Sequence, residues 1–319
     1  MKLISILVPA YNEEAVLDKL YERLDKLTKN VIGYDFELLF VNDGSRDRTL
    51  EIIKKYAEQD NRVAYVNFSR NFGKEIAMIA GLDHATGDAT IIIDADLQDP
   101  PELIPEMIKY WEKGYDDVYA KRNNRHGETW LKKTTAKTYY WLLQKSTRIT
   151  IQRDTGDFRL LDRRCVEALK QLRETERYTK GMFSWIGYNK KEITYDRDPR
   201  LAGEIKQNYS ILVKLALDGI TSFTTAPLRI ASIVGALVSL TAFVFIVIVV
   251  IKTWIFGDAV AGYPSLMSVI LFLGGVQLLS IGIIGEYVGR IFNETKGRPL
   301  YLVEEYHNAK NNKTTKKAR

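Results

Sequence analysis

From Ile230 to Ile251 the chain carries no charged residue, and from Ala259 to Gly285 it again carries none. Each run exceeds the ~20 apolar residues that cross the hydrocarbon core of a bilayer. A pair of buried core helices is the alternative, but a globular core seldom takes two such runs with no polar face. The connection "KTWIFGD" is short, so the two segments are expected to form a hairpin with both ends on one side of the membrane. Arg229 precedes the first run, while Arg290, Lys296 and Arg298 follow the second. The terminal stretch "HNAKNNKTTKKAR" adds more basic residues, and the connecting loop holds only Lys252 and Asp258. The positive-inside rule then places both termini and the bulk of the chain in the cytoplasm of a cell that carries this protein in its plasma or inner membrane. Trp254, Tyr263 and Tyr287 stand where interfacial aromatics belong.

The rest of the 319 residues has ample apolar content for a core. The formal net charge of +6 suits an anionic substrate or membrane surface and gives no reason to invoke nucleic acid. A single cysteine, Cys165, excludes an intramolecular disulfide and reads as a small buried hydrophobe. His84, His126 and His307 are too scattered for a metal cluster. The opening "MKLISILVPAYNEE" is interrupted by Ser5 and Pro9 and lacks a cleavage site, so it reads as a first buried strand and not as a signal peptide.

Up to about residue 200, strand-like runs ("LISILVP", "FELLFVN", "VAYVNF", "ATIIIDA") alternate with helical patterns over Glu13–Lys29, Arg48–Gln59, Lys74–Ala85 and a segment after Pro101. Alternation of this kind with fully apolar strands predicts an α/β domain with a mostly parallel sheet, covered on both faces. Ligands then bind beyond the carboxyl ends of the strands. The polar motifs fall there: Tyr11-Asn12-Glu13, Asn42-Asp43-Gly44-Ser45 and Asp94-Ala95-Asp96. No dinucleotide fingerprint and no phosphate-binding glycine–lysine loop follows the first strand.

Three carboxylates, Asp94, Asp96 and Asp99, crowd the mouth of the strand "ATIIIDA". Such a cluster repels itself unless something positive sits there. Carboxylates two residues apart can reach one ion, and Mg²⁺ takes one or two carboxylates together with substrate phosphates. A second Asp-x-Asp, Asp196-Arg197-Asp198, lacks a preceding strand and reads as a solvated loop.

Taken in order, "ILVPAYNEE", "FVNDGSRDRT", "SRNFGKE", "DADLQDPPE" and "DTGDFRLLDR", ahead of two membrane spans, resemble a GT-A family 2 glycosyltransferase. The likeness is greatest to polyisoprenyl-phosphate glycosyltransferases similar to dolichol-phosphate mannose synthase. The resemblance implies a Rossmann-like GT-A domain over 1–207, a juxtamembrane segment over 208–227, two transmembrane helices within 228–291 (about 228–252 and 263–289) and a basic tail over 292–319. The segment 208–227 suits either a helix lying in the membrane interface or an ordinary surface helix.

The same resemblance implies inverting transfer of a sugar, glucose or N-acetylglucosamine, from a UDP-sugar to polyprenyl phosphate, with Mg²⁺ or Mn²⁺. It assigns the donor to Pro9, Ala10, Tyr11, Glu13, Asp43, Asp94, Gln98, Lys121, Arg200 and Lys206, and the metal to Asp96 with Asp94. Asp157 and Arg122 take catalytic positions; Arg125, Lys132 and Lys133 are candidates for the acceptor phosphate. Asp43 can equally be a turn residue, and Asp157 a structural partner of Arg159 or Arg153. Gly285-Glu-Tyr-Val-Gly289 permits close helix packing and a homo-oligomer, or is simply a glycine-rich helix. A processive polysaccharide synthase and a non-catalytic nucleotide-sugar sensor are the rival readings; the first lacks its "QxxRW" motif here, and the intact carboxylate and basic set speaks against the second.

The topology is testable by labelling. A Gly257→Cys variant should react with a membrane-impermeant thiol reagent in intact cells, while tags at residues 1 and 319 stay protected. A C-terminal tag accessible from outside would refute the hairpin.

Overall fold

The structure, a computed structural model, describes residues 1–122, 155–175, 177, 179–195, 226–256 and 262–309. Among the described residues eight strands form one sheet in the order β7-β5-β6-β4-β1-β2-β3-β8. They are β1 (Lys2–Ala10), β2 (Tyr34–Asn42), β3 (Val63–Phe68), β4 (Ala89–Ile92), β5 (Asp117–Arg122), β6 (Thr155–Asp162), β7 (Lys190–Tyr195) and β8 (Val303–His307). Pairing is parallel through β3-β2-β1-β4, whereas β6 and β8 run antiparallel to their neighbours.

Strand β1 shows why the sheet needs cover on both faces. Side chains alternate across a strand, so Ile4, Ile6 and Val8 enter one core and Leu7 the other. The first core is closed by α1 (Leu17–Asn30), α2 (Thr49–Gln59) and α4 (Ile104–Glu112), through Leu20, Ile53 and Met107. The second is closed by α3 (Lys74–His84), α5 (Arg163–Gln171) and α6 (Thr179–Trp185), through Ala77, Val166 and Phe183. Helix α3 lies so close to β1 that a Cβ on Gly81 would fall 2.0 Å from Leu7 Cδ1.

Helix α1 starts at Leu17 and not at Glu13, because residues 12–14 give their backbone N–H groups to another loop. Asn12, Glu13 and Glu14 donate to Ser45, Thr49 and Asp47 at 3.0, 2.9 and 3.2 Å. The tail assigned to 292–319 is also more than a tail. The second long helix, α8 (Tyr263–Thr295), runs past 291, and the chain then re-enters the sheet as β8. With "VEEYH" at an edge there is no apolar alternation to announce this strand. It is held instead by side chains: Tyr65 Oη donates to Glu305 at 2.7 Å, Lys54 pairs with Glu305 at 2.5 Å, and His307 stacks on Tyr65 at 5.5 Å between centroids.

Helix α7 (Ala226–Phe256) has 31 residues and α8 has 33, or roughly 45–50 Å at ~1.5 Å per residue. Among the described residues Phe272–Thr295 is long and apolar enough to cross a membrane. At its end, Glu294 accepts from the backbone N–H and hydroxyl of Thr175 at 2.7 and 2.8 Å, joining α8 to the loop after α5.

A buried ion pair fastens the far side of the sheet. Arg159 on β6 and Asp117 on β5 are both fully buried and 3.2 Å apart, with the guanidinium 3.7 Å from the Phe183 ring centroid. Burial pushes the Asp117 carboxyl up from its usual range, more than Arg159 pulls it down. Removing one partner strands a charge, so Asp117→Leu or Arg159→Met should each cost about 3–5 kcal/mol, while the double variant should cost much less. Thermal melts of the full chain in detergent test this; a double variant as damaged as the singles would contradict it.

Candidate active site

Three loops meet beyond the carboxyl ends of β1, β2 and β3. Asn12, with φ of 55°, accepts from the Arg46 N–H at 2.8 Å through Oδ1 while its own N–H donates to Ser45. Asp43 N–H donates to Ala10 O at 2.9 Å. The Asp43 carboxylate takes Phe72 N–H at 2.7 Å, Gly73 N–H at 2.9 Å and Asn71 Nδ2 at 3.0 Å, all at the start of α3. Burial raises its pKa, against the lowering effect of those backbone N–H groups. Gly44 is required by two constraints: its φ is 64°, and a Cβ would meet Arg70 C at 2.4 Å. The loops enclose a cavity of about 350 Å³ whose lining includes Tyr11, Ser45, Arg46, Arg70, Asn71 and Glu304.

Beside it, at the mouth of β4, a lysine meets the carboxylates that crowd the sequence. Lys74 Nζ lies 2.7 Å from Asp94 and 2.6 Å from Asp157. Burial works to lower the lysine's pKa, but Asp94 and Asp157 outweigh it and the net shift is upward. Asp157, which burial alone would raise, is held below the usual carboxylate range by Lys74. Glu75, next along α3, is pushed up to about 7 by burial and by Asp157, and accepts from the Thr179 N–H at 2.9 Å. Burial lowers the pKa of Lys180, with Asp157 opposing. Arg122 is raised: burial opposes, and Tyr195, Asp99 and Asp94 prevail. Tyr195 donates in turn to the buried Asp99.

The structure thus brings together Asp94, Asp157 and Arg122, with Asp96 two residues on. Asp96 Oδ1 accepts from the Gln98 N–H at 3.2 Å across Leu97, whose φ is 59°. Pro9 and Ala10 are buried within β1, so they offer no exposed side chain. Tyr11 is 42% exposed and lines the cavity. Glu13 sits in the zipped loop.

Asp43 is only 2% exposed, its carboxylate is engaged at the start of α3, and it lies beneath the residues that line the cavity. Two expectations need correction. Lys121 pairs with Glu192 at 3.0 Å, because neighbouring residues on a strand face opposite ways; Arg122 is the one beside Asp94 and Asp99. Asp157 partners Lys74 and not Arg159, whose guanidinium is taken by Asp117. Arg125, Lys132, Lys133, Arg153, Arg200 and Lys206 lie outside the described residues, as does 208–225.

Reading the motifs did not assign roles to Lys74, Glu75, Lys180 or Glu304. The first two stand inside "SRNFGKE", where a glycine followed by lysine and glutamate marks a helix start; Gly73, with φ of 101°, is that cap. Nothing local marks Lys180 or Glu304.

A carboxylate pair at a strand mouth suits a hard divalent cation completed by phosphate oxygens. The ammonium of Lys74 already occupies a cation's place against Asp94, which is the observation that supports the fit. Among the described residues no group of three or more His, Cys, Asp or Glu gathers to hold a metal, so the protein would supply at most a few of the ligands.

The family model for glycosyl transferase family 2 matches residues 5–170, and the model for the GtrB C-terminal hairpin matches residues 226–291. This chain belongs to glycosyl transferase family 2. It is a glycosyltransferase with a GT-A catalytic sheet, followed by a hairpin of the GtrB type. An uncharacterized glycosyltransferase of Synechocystis sp. is 50% identical over 95% of both chains. The bactoprenol glucosyl transferase of Shigella phage SfII is 46% identical over 95% of this chain and 98% of its own. A prophage bactoprenol glucosyl transferase homolog of Escherichia coli is 46% identical over 94% of this chain and 98% of that one.

For this family 2 site the Lys74 bridge carries a signed prediction. A carboxyl with a lowered pKa contributes stability above the usual carboxylate range and loses it as the pH falls through the lowered value. A lysine with a raised pKa contributes below its usual value. Lys74→Met should therefore lower the melting temperature most near pH 7 and much less near pH 3, and should cut activity at least ~10-fold, with Lys74→Arg partly restoring both. An equal loss of melting temperature at both pH values would show that the ion pairs do not carry the effect.

Proposed function

We propose that this glycosyltransferase moves glucose from UDP-glucose to the phosphate of a polyprenol at the cytoplasmic face of a bilayer. The observation that carries this reading is the union of the family 2 sheet and the GtrB hairpin in one chain, 46% identical along nearly its whole length to proteins named bactoprenol glucosyl transferase. The geometry supports it. The sheet feeds the hairpin on one side and receives β8 from it on the other, so both ends of the hairpin belong to the side that holds the site. That arrangement favours a hairpin that crosses the membrane and returns, with the cavity close to the lipid headgroups.

A phosphate monoester has a second pKa of about 6. At neutral pH it is mostly dianionic and needs no base to become a nucleophile. The protein's task is then to position and to balance charge. Tyr11, Arg46 and Arg70 suit the nucleotide. Arg122 and Lys180 face the carboxylates at the strand mouth, where two anionic phosphates must approach each other. Lys74 holds Asp157 ionised, so Asp157 orients cations and is not a proton acceptor in waiting. Asp94 and Asp96 would hold Mg²⁺ or Mn²⁺, which when bound offsets the charge that develops on the departing diphosphate. Attack in line on the anomeric carbon, opposite that diphosphate, inverts the configuration.

Membranes containing the protein, given radiolabelled UDP-glucose or UDP-N-acetylglucosamine with undecaprenyl phosphate, should pass label to the organic phase from UDP-glucose. In the same assay Asp157→Asn should be slower yet keep an acid limb near pH 6, the acceptor's own. Label that enters only long water-soluble polymer, or no lipid product from any UDP-sugar, would overturn the reading; loss of the acid limb would make Asp157 the base.

A further inference from the structure

We infer that Glu304, on the strand that follows the hairpin, is a donor-binding residue that accepts a hydroxyl of the nucleotide's ribose. The inference rests on the reading of the 350 Å³ cavity as the nucleotide pocket. Glu304 is the lone carboxylate among the residues that line this cavity, where Arg46 and Arg70 supply the positive charge. A carboxylate is repelled by a diphosphate, but it is a strong acceptor for neutral hydroxyls. Its place is therefore at the nucleoside end. The acceptor that the motif "NDGS" brings to the same loops is Asp43, and its carboxylate is already engaged by Asn71, Phe72 and Gly73. Asp43 is not among the residues that line the cavity, whereas Glu304 is, so Glu304 is the carboxylate that a ribose there can reach.

Glu304 is also held ready. Its Oε2 accepts from Asn67 Nδ2 at 3.0 Å, and Asn67 Oδ1 accepts from Asn42 Nδ2 at 2.7 Å, so a chain of three side chains runs from β8 across β3 to β2. No hydrogen-bond partner of Glu304 Oε1 is found among the described residues. The strand beneath cannot drift. Ser69 N–H donates to Leu302 O at 3.1 Å, and Tyr301 stacks on Phe68 at 5.2 Å while its hydroxyl donates to Asp83 at 2.8 Å. The pocket is thus finished by residues that the chain reaches only after both long helices, and donor affinity depends on the return of the chain from the hairpin to the sheet.

The test is calorimetric titration of the full-length protein in detergent with UDP, 2′-deoxy-UDP and 3′-deoxy-UDP. In the wild type, loss of the hydroxyl that Glu304 accepts should weaken binding ~10-fold, the scale of a hydrogen bond to a charged group. Glu304→Ala should weaken UDP by a similar factor and bind UDP and that deoxy analogue equally; Glu304→Gln, which keeps the Asn67 contact, should lose less. Unchanged UDP affinity in Glu304→Ala, or undiminished discrimination between UDP and both deoxy analogues, would overturn the inference. Tyr11→Ala separates the two levels: if it leaves UDP binding intact, the cavity is not the nucleotide pocket and the inference falls with that reading. If Tyr11→Ala weakens UDP while Glu304→Ala does not, the pocket stands and only the role of Glu304 fails.

Discussion

One ammonium group holds the candidate site together. Lys74, at the first turn of α3, lies within 2.7 Å of carboxylates from the end of β4 and the start of β6. Without it, Asp94 and Asp157 would lose the one cation that contacts both of them, and the offsetting of their mutual repulsion would fall to the more distant Arg122 and Lys180. Helix α3 is in turn placed by Asp43, which takes the N–H groups of Phe72 and Gly73, and by the close packing of Gly81 on Leu7. The cation therefore arrives on a helix fixed at both its start and its middle. Of the aspartates that crowd the sequence, Asp94 meets Lys74 in the fold and Asp99 meets Tyr195 beside Arg122.

The same sheet ties the pocket to the membrane part of the chain. Parallel strands bring Tyr11, Gly44 and Arg70 to one edge, since all follow the carboxyl ends of β1, β2 and β3. On the outer side of β3 the chain comes back from α8 and lays down β8. Glu294 and Glu305, on either side of that return, bond to Thr175 and to Tyr65 and Lys54. The hairpin is thereby stitched to the catalytic domain at its exit.

Much of this was legible in the sequence, for a physical reason. Strands buried on both faces must be apolar throughout, so β1 to β4 announce themselves, and ligand-binding residues follow their ends. Asp94 could be named for that reason, while Arg122 and Asp157, on β5 and β6, could be named only through the resemblance of their motifs to a family. Glu13 was misplaced in a helix because its turn is held by Thr49, thirty-six residues on, and no local pattern records such a bond. Lys121 and Arg122 could not be separated until the pairing of β5 with β7 gave Lys121 to Glu192. Strand β8 is polar and lies at an edge, and its partners are contributed by β3 and α2. Its part in the pocket is a fact of topology that composition does not carry.

The central claim is that Asp94 and Asp96 form half of a cation site, kept in balance by Lys74 until phosphate oxygens complete it. Titration of Mn²⁺ into the full-length protein, followed by its electron paramagnetic resonance signal with and without UDP, measures this without turnover. The account predicts weak Mn²⁺ binding alone, tightening at least ~10-fold when UDP supplies further oxygen ligands, with the gain lost in Asp96→Asn. Tight binding of Mn²⁺ in the absence of UDP, unaffected by Asp96→Asn, would contradict it.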